Sequence, residues 1–289
     1  MVQPPVRATP EETLAELLRV SGRGYTKIRH TLCQVPTAAE GSKPGVLGPM
    51  VTDRKRRSLQ LYLLLLTVWP WLKERDSPLP SAVWARALTT ASGRNWTASN
   101  VSDAWADLEN RGLVERHRLS RAVEVTPRRE DAAAEYTEPD GRKGDHLHSY
   151  FTLPPSFWTT GWFEELSMPA IAMLLIVASK TSHSGQPETW LTNTDAAKWF
   201  ALSPRSVEGG LAELAARGLL TERIEWVKAP LSPVGATKRH WYSLNGEFST
   251  ESRLAMQDLA RQDRARRLGK HKKSKKVKAS GGAEGAAKA

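Results

Sequence analysis

An internal repeat is the feature that most constrains how this chain of 289 residues can fold. The segment 100–114 aligns in register with the segment 206–220, and Val, Ala, Leu, Arg, Gly and Leu recur at matching positions. Each segment has apolar residues at helical spacing, followed by a glycine that can end a helix in the left-handed conformation. A repeat of this kind predicts that one supersecondary unit occurs twice in the chain.

The residues around each repeat predict the same order of elements. A long apolar helix and a shorter helix precede the repeated helix, and two strands with a turn between them follow it. The predicted elements are helices over 59–69, 81–91, 170–179 and 194–200 and strand pairs over 113–119 with 122–126 and over 219–227 with 238–244. A short strand is also predicted from Tyr150 to Pro154. The fold class is therefore mainly α with small β-hairpins, an α+β chain.

This order, together with Leu-Glu-Asn-Arg-Gly-Leu-Val and Leu-Ala-Ala-Arg-Gly-Leu-Leu, resembles the winged helix-turn-helix superfamily over about residues 57–126 and 151–245. The second copy carries the stronger resemblance, because Ser203 and Pro204 look like the cap and the first residue of a recognition helix. The first copy departs from the pattern by about three extra residues near Trp96. The resemblance implies two winged helix-turn-helix domains in tandem.

The tandem arrangement predicts the following segments: an N-terminal helical segment 1–35, a linker 36–52, winged-helix domains 53–126 and 150–246 with a connector 127–149 between them, a C-terminal helix 247–268, and a disordered basic tail 269–289. The linker is expected because six prolines and glycines between Pro36 and Pro49 break regular structure. The connector is polar and expected to be flexible. The tail has too few apolar residues to form a core.

The positive charge is concentrated near one end of the chain. The formal net charge is +11, of which residues 261–289 contribute +9, whereas residues 58–260 carry −3. The basic residues predicted to contact phosphates without sequence preference are Arg264, Arg266, Arg267, Lys270, Lys272, Lys273, Lys275, Lys276 and Lys278. Arg253 is expected on the polar face of the same C-terminal helix.

The resemblance implies double-stranded DNA as the partner, since a recognition helix enters the major groove while the hairpin contacts phosphates. The base-reading candidates are Arg205, Ser206 and Glu208 in the second copy and Thr97, Asn100 and Ser102 in the first. The candidates for phosphate contacts are Arg116, Arg118 and Arg121 on the first hairpin and Arg223, Lys228, Lys238, Arg239 and His240 on the second. Arg205 is the strongest base-reading candidate because arginine can bond guanine in two places.

The glycines inside the second recognition helix and the many tryptophans of the chain each need an explanation. Gly209 and Gly210 lie inside the second recognition helix, and close packing on a neighbouring helix is the preferred reason over close approach to DNA. Periodicity predicts core positions for Trp69, Trp71, Trp84, Trp105, Trp199 and Trp226. Trp96, in the extra turn of the first copy, is left open as a base-stacking residue.

Several other classes of protein are disfavoured. The longest apolar runs have about a dozen residues, fewer than the roughly 18 needed to span a bilayer, and no secretion signal is recognisable. Cys33 is the single cysteine, so we expect no internal disulfide, no cysteine-rich metal site and no cofactor. The expected location is the cytoplasm, in association with the nucleoid or a plasmid. A homodimer is compatible with the sequence.

Four functions are kept as alternatives. Two tandem winged helices without an evident ligand domain resemble the initiators of plasmid and mobile-element replication, which bind repeated origin sites. A transcriptional regulator uses the same physics. A winged-helix adaptor would bind protein and use only its tail on DNA. The fourth is a metal-dependent nicking enzyme, because His146 and His148 would face one side of a strand; otherwise no catalytic arrangement indicates an enzyme.

Overall fold

The computed structural model describes residues 7–37, 41–90, 95–119, 122–142, 144–183 and 185–281, with the backbone alone for Asn193 and for 267–281. The chain is a mixed α+β protein that is 48% helical and contains several small antiparallel sheets. This confirms the predicted α+β class. No helix in the described ranges is both long and apolar enough to cross a bilayer.

Helices and strands occur along the whole described chain, in groups of one to four elements of the same kind. The helices are α1 (Pro10–Ser21), α2 (Leu47–Thr52), α3 (Arg56–Leu72), α4 (Ser81–Leu88), α5 (Ala98–Asn110), α6 (Ser156–Thr159), α7 (Trp162–Glu165), α8 (Met168–Lys180), α9 (Asn193–Phe200), α10 (Pro204–Ala216) and α11 (Thr250–Gly281). The strands are β1 (Thr26–Arg29), β2 (Gln34–Thr37), β3 (Gly41–Pro44), β4 (Val114–Leu119), β5 (Ala122–Pro127), β6 (Tyr150–Leu153), β7 (Thr189–Trp190), β8 (Leu220–Lys228) and β9 (Ala236–Leu244).

The predicted order of elements is confirmed in both copies. The first copy runs α3, α4, α5 and the β4–β5 hairpin, and the second runs α8, α9, α10 and the β8–β9 hairpin. The repeated helices α5 and α10 are followed by Gly112 and Gly218, each with φ of +71°, which is the left-handed helix end that the glycines predict. The second copy differs in having β7, which pairs with β9 and makes a three-stranded sheet.

The N-terminal segment is not only helical, which corrects the prediction for residues 1–35. After α1, strand β1 pairs antiparallel with β6, so that Ile28 lies opposite Phe151. The two strands lie far apart in the sequence, and no local pattern in either one identifies its partner. This pairing attaches the start of the chain to the residues that lead into the second copy.

The predicted linker 36–52 is also wrong, because it contains part of the β2–β3 hairpin and helix α2. Its glycines permit close packing instead of flexibility. A Cβ on Gly45 would lie 2.3 Å from the carbonyl oxygen of Leu32, and a Cβ on Gly48 would lie 1.9 Å from that of Phe200. Helix α2 contacts α8 and α3, so the segment joins the two copies.

The connector is held by a buried ion pair and is not a loose polar segment. The Arg29 Nη1 donates to Glu130 Oε2 at 2.7 Å, and both side chains are completely buried. The Arg29 Nε donates to the Leu147 carbonyl at 2.6 Å, and Nη2 donates to Thr137 Oγ1 at 3.2 Å. One arginine of β1 therefore fixes three points of the segment between the copies.

The core is shared by the two copies. The buried apolar side chains form one contiguous cluster that includes α3, α5, α8 and α10. Helix α8 is buried on nearly all sides, since ten of its residues from Met168 to Ala178 are buried. The two repeated units are therefore packed together within the described chain.

Helix α11 continues to Gly281, which corrects the expectation of a disordered tail from residue 269 to that point. Lysine, arginine and alanine are good helix formers, and this stretch contains no proline. Arg253, expected on the polar face, is 2% exposed. It donates to the carbonyl oxygens of Phe248, Ala178 and Thr181, each at 2.8 Å, and burial lowers its pKa to about 10.

Candidate nucleic-acid interface

Helix α10 exposes a face that begins with the strongest base-reading candidate. Val207, Leu211 and Leu214 turn into the core, whereas Arg205 is exposed in the first turn. The turn is fixed by the predicted cap, because Ser203 Oγ accepts a hydrogen bond from the backbone N–H of Ser206 at 3.2 Å. Arg205 forms no ion pair with any residue that the structure describes. Its guanidinium is therefore available to a ligand.

Three other base-reading candidates form capping contacts. Thr97 Oγ1 accepts from the backbone N–H of Asn100, and Asn100 Oδ1 accepts from that of Thr97, both at 3.2 Å. The Ser206 hydroxyl lies 2.9 Å from that of Ser203. Ser102 is exposed. Thr97 and Asn100, which are predicted to read bases, form a capping box that stabilises the start of α5.

The β8–β9 hairpin carries three cations that form no ion pair within the described ranges: Lys228, Lys238 and Arg239. The Lys238 Nζ lies 5.2 Å from the centroid of the Trp226 ring, and the Arg239 guanidinium lies 5.0 Å from that of Trp190. Such cation–π contacts hold the cations in place without neutralising them. The hairpin therefore presents positive charge beside α10.

The other two predicted contacts on this hairpin are compensated by acids. Arg223 Nη2 lies 2.6 Å from Glu188 Oε2 and lowers the pKa of that carboxyl. His240 Nδ1 lies 2.5 Å from Glu222 Oε1. Both side chains would have to exchange an existing partner for a phosphate.

A groove of about 660 Å³ separates α10 from the hairpin. Glu208 and Ala212 line it from the helix, while Glu222, Lys238 and His240 line it from the strands. Glu208 thus lies on the hairpin side of α10. Helix and hairpin consequently form two separate exposed edges, each of which can contact a different part of one extended ligand.

The first copy offers less free positive charge. Arg116 Nε lies 2.8 Å from Glu109 Oε2, and Asp107 pairs with both Lys55 and Arg111. Arg118 is exposed and forms no ion pair in the described part of the chain, whereas Arg121 lies outside the described residues. The exposed face of α5 is therefore a weaker candidate for contact with phosphates than that of α10.

Two exposed arginines at the start of α3 were not among the predicted contacts. Arg54 and Arg57 line a groove of about 360 Å³ together with Asn100 and Asp103 of α5. The run of four cations from 54 to 57, immediately before an apolar helix, was the available signal. These side chains add exposed cations to the first copy beside α5.

The core positions predicted for the tryptophans are mostly confirmed, and Trp226 is the exception among them. Trp84 and Trp105 are buried in edge-to-face contact at 5.5 Å, and Trp69, Trp71 and Trp199 are partly buried against the core. Trp226, expected in the core, is 63% exposed because it lies on the part of β8 that extends beyond the core. Trp96 is only 6% exposed under the Arg57 guanidinium, so base stacking by this ring is excluded in this conformation.

The paired histidines do not have the geometry that the nicking-enzyme alternative needs. His146 and His148 lie in a turn instead of a strand, and His148 Nδ1 is 3.3 Å from Asp140 Oδ1. No group of three metal-ligating side chains occurs among the described residues. In the basic tail, Arg264 and Arg266 are exposed, while the side chains of Arg267, Lys270, Lys272, Lys273, Lys275, Lys276 and Lys278 lie outside the description.

Comparison of the chain with protein-family models, with curated proteins and with solved structures finds no match. The arrangement of its own residues therefore carries the functional argument.

The adjacent glycines of α10 predict substitutions with opposite effects. A Cβ on Gly210 would lie 2.6 Å from the Pro169 carbonyl oxygen and 2.8 Å from Met173 Cγ, whereas a Cβ on Gly209 would meet nothing within 4 Å. We expect Gly209→Ala to raise the free energy of unfolding by about 0.5–1 kcal/mol, because alanine favours the helix. Gly210→Ala should lower it by about 1–3 kcal/mol through overpacking against α8.

Urea denaturation of the two variants and the wild type measures both predicted changes in the free energy of unfolding. Equal effects of the same sign would contradict the packing of α10 on α8. Close packing on α8 is thus the explanation for Gly210, whereas Gly209 leaves the exposed helix face free of side-chain atoms.

Proposed function

We propose that this chain is a sequence-specific duplex-DNA-binding protein built from two tandem winged helix-turn-helix units, and that the second unit makes the principal contact. The observation that carries the proposal is that Arg205, at the start of α10, lies beside a hairpin carrying Lys228, Lys238 and Arg239, and that none of these four cations forms an ion pair with a described residue. In this class of protein a helix enters the major groove with its N-terminal residues at the base edges. The adjoining hairpin, called the wing, contacts the sugar–phosphate backbone.

In this proposal each exposed edge of the second unit has a separate task. Arg205 reads a base edge, since its guanidinium can donate twice to guanine. Lys228, Lys238 and Arg239 neutralise phosphates along the wing and fix the register of the helix in the groove. The exposed surface at Gly209 lets the helix backbone approach the duplex closely.

The finer proposal is a replication initiator of a plasmid or mobile element that binds repeated origin sites. The shared core supports it, because units packed together hold two recognition helices at a fixed separation, which suits repeated sites at fixed spacing. A transcriptional regulator with the same units is the alternative. The two differ in whether the preferred sites are direct repeats or an operator of another symmetry.

The test is selection from randomised duplex DNA with the full chain, at near-physiological salt and with an excess of unrelated competitor DNA to suppress binding by the basic tail. Enrichment of direct repeats supports the initiator, and enrichment of a palindrome supports the regulator. Recovery of no motif would contradict sequence-specific binding and would favour the adaptor that binds protein.

Arg205→Ala should weaken binding to the selected motif by about 1–3 kcal/mol, or about 5- to 150-fold, because a base contact is lost. The preference should relax at one base pair. Arg217→Ala is the matched control, since Arg217 is exposed at the other end of α10 and pairs with Glu165 at 2.6 Å. Fluorescence anisotropy on the selected motif and on single-base variants measures both effects. Equal weakening on every sequence would show that Arg205 contacts phosphate only.

A further inference from the structure

The tip of the second wing is the most apolar exposed surface among the described residues. Leu231 is 102% exposed and Val234 is 77% exposed, the two highest values among the exposed large hydrophobic side chains. Trp226 and Ile224 lie further down the same strand pair and are 63% and 49% exposed. Leaving large apolar side chains in water is unfavourable, so an exposed cluster of this kind indicates a contact surface.

The tip is a fixed structure made of two successive β-turns. The backbone N–H of Ser232 donates to the Ala229 carbonyl at 2.9 Å, and that of Gly235 donates to the Ser232 carbonyl at 3.0 Å. Each turn has proline at its second position, Pro230 or Pro233, where the fixed φ of proline favours the turn. Leu231 and Val234 therefore occupy the same third position in the two turns. The turns are closed by an outer hydrogen bond from the Ala229 N–H to the Gly235 carbonyl at 2.9 Å.

The charge at the base of the tip is positive. Lys228 lies opposite Ala236 and Lys238 lies opposite Trp226, so both lysines are on one face of the hairpin. From 228 to 240 the sequence contains two lysines, one arginine and one histidine and no acidic residue. Lys228, Lys238 and Arg239 form no ion pair within the described structure, whereas His240 Nδ1 lies 2.5 Å from Glu222 Oε1. A polyanion complements this pattern, whereas a purely apolar protein surface would leave the lysines unmatched.

We infer that the wing tip, residues 229–235, inserts into the minor groove of duplex DNA and wedges Leu231 and Val234 against a base step, so that the duplex bends. Apolar wedges flanked by cations kink DNA in this way: the side chains partly unstack one step while the cations hold the phosphates on either side. A pre-formed turn suits this task because little conformational freedom is lost on insertion. The inference rests on the proposed DNA-binding function and adds deformation of the duplex to it.

The inference also predicts which sequences the wing prefers. Pyrimidine–purine steps such as TpA unstack most easily, and A·T-rich segments have a narrow minor groove of strongly negative potential. The wing should therefore favour an A·T-rich segment with a TpA step, next to the major-groove site that α10 reads. This preference requires no hydrogen bond from the wing to a base.

The experiment uses the full chain and a duplex of about 40 base pairs with one TpA step in an A·T-rich segment. Dyes at the two ends report bending by energy transfer, and 2-aminopurine at the step reports unstacking by its fluorescence. Wild-type chain should shorten the end-to-end distance and raise the 2-aminopurine signal. The double variant Leu231→Ser with Val234→Ser should lose most of both signals and bind about tenfold more weakly.

Two further variants separate the wedge from general DNA binding. Leu259→Ser is the control, since Leu259 is also 63% exposed but lies on α11, and this variant should bend the duplex as the wild type does. Lys228→Gln with Lys238→Gln should reduce the slope of log K against log salt by about 2, because two phosphate contacts are lost. The double Leu231, Val234 variant should keep the wild-type slope.

Each remaining outcome contradicts the inference in a recognisable way. If the Leu231, Val234 variant binds and bends DNA as the wild type does, the wedge is refuted while DNA binding stands. If it leaves bending unchanged but abolishes self-association in sedimentation, the tip is a contact between copies of the chain. If the wild-type chain binds no duplex at all, the proposed function fails and the wedge fails with it.

Discussion

Arg29→Met is expected to lower the free energy of unfolding at neutral pH by about 3–5 kcal/mol, because it leaves the charge of Glu130 buried without its partner. Both side chains are completely buried, and the Arg29 backbone N–H also donates to Glu130 Oε1 at 3.1 Å. Burial raises the pKa of Glu130, and the Arg29 guanidinium acts in the opposite direction. Removal of the guanidinium therefore leaves the cost of burying the Glu130 charge opposed only by backbone hydrogen bonds.

Urea denaturation followed by circular dichroism measures the loss of unfolding free energy in Arg29→Met. Two further variants show whether the buried charge causes it. Arg29→Met combined with Glu130→Leu should be less destabilised than Arg29→Met alone, because an apolar pair has no charge to desolvate. Arg19→Met is the exposed control: its pair with Glu16 has side chains that are 70% and 57% exposed, so we expect no measurable change. A similar small change for Arg29→Met would contradict the role of this pair in holding the connector.

The second large effect is a loss of stability in mild acid caused by His30. Its Nδ1 lies 2.7 Å from Ser179 Oγ and its ring packs on Phe151. Burial, followed by the nearby charges of His183 and Lys180, lowers its pKa from 6.5 to about 4. The folded state thus binds this proton less tightly than the unfolded chain. The stabilisation from neutral His30 is complete above pH 6.5 and is lost as the pH falls towards about 4.

The lowered pKa of His30 corresponds to a loss of about 3 kcal/mol in the free energy of unfolding between pH 6.5 and about 4, at about 1.4 kcal/mol for each pKa unit. The measurement compares the free energy of unfolding of the wild type and His30→Gln at several pH values between neutral and pH 4. Carboxylates contribute equally to both profiles, so the difference isolates His30. Parallel profiles would show that this imidazole takes up its proton in the folded state as easily as in the unfolded chain.

The order of elements within each copy was predictable because local patterns determine it. Helical periodicity, the capping serine at 203 and the glycines at 112 and 218 each act over a few residues, and all three behave as expected. The strand pairs were predictable for the same reason, because each turn joins two neighbouring alternating segments. The repeat strengthened every one of these assignments by supplying a second example.

The arrangement of the copies was not predictable, because it depends on contacts between distant residues. The pairing of β1 with β6 and the ion pair between Arg29 and Glu130 leave no local signature. The glycines of 36–52 were misleading for a related reason. Gly45 and Gly48 lack side chains because backbone carbonyls occupy that space, and sequence alone does not distinguish this cause from flexibility.

The candidate interface was predictable in its location and less so in its details. Arg205, Lys228, Lys238 and Arg239 lie exposed or partly exposed and without ion pairs among the described residues, as phosphate- and base-contacting residues require. Base reading by Thr97 and Asn100 stays a prediction, and the capping box that they form was missed because the same polar side chains also serve as helix caps. The prediction that Trp226 lies in the core was wrong, because the alternating apolar pattern of β8 continues beyond the residues that cover the core.

The anchoring of α11 by Arg253 limits the positions that the basic residues of this helix can reach. A helix of 32 residues is about 48 Å long, and its exposed Arg264 and Arg266 lie about 21–24 Å along it from Thr250. Because one end of this helix is held against α8, the helix has a fixed length and a fixed direction. A flexible tether would instead let its basic residues reach any position within its length. Insertion or deletion of one residue between Arg253 and Arg264 would rotate Arg264 and Arg266 by about 100° around the helix axis, so the length of this segment sets the direction in which they project.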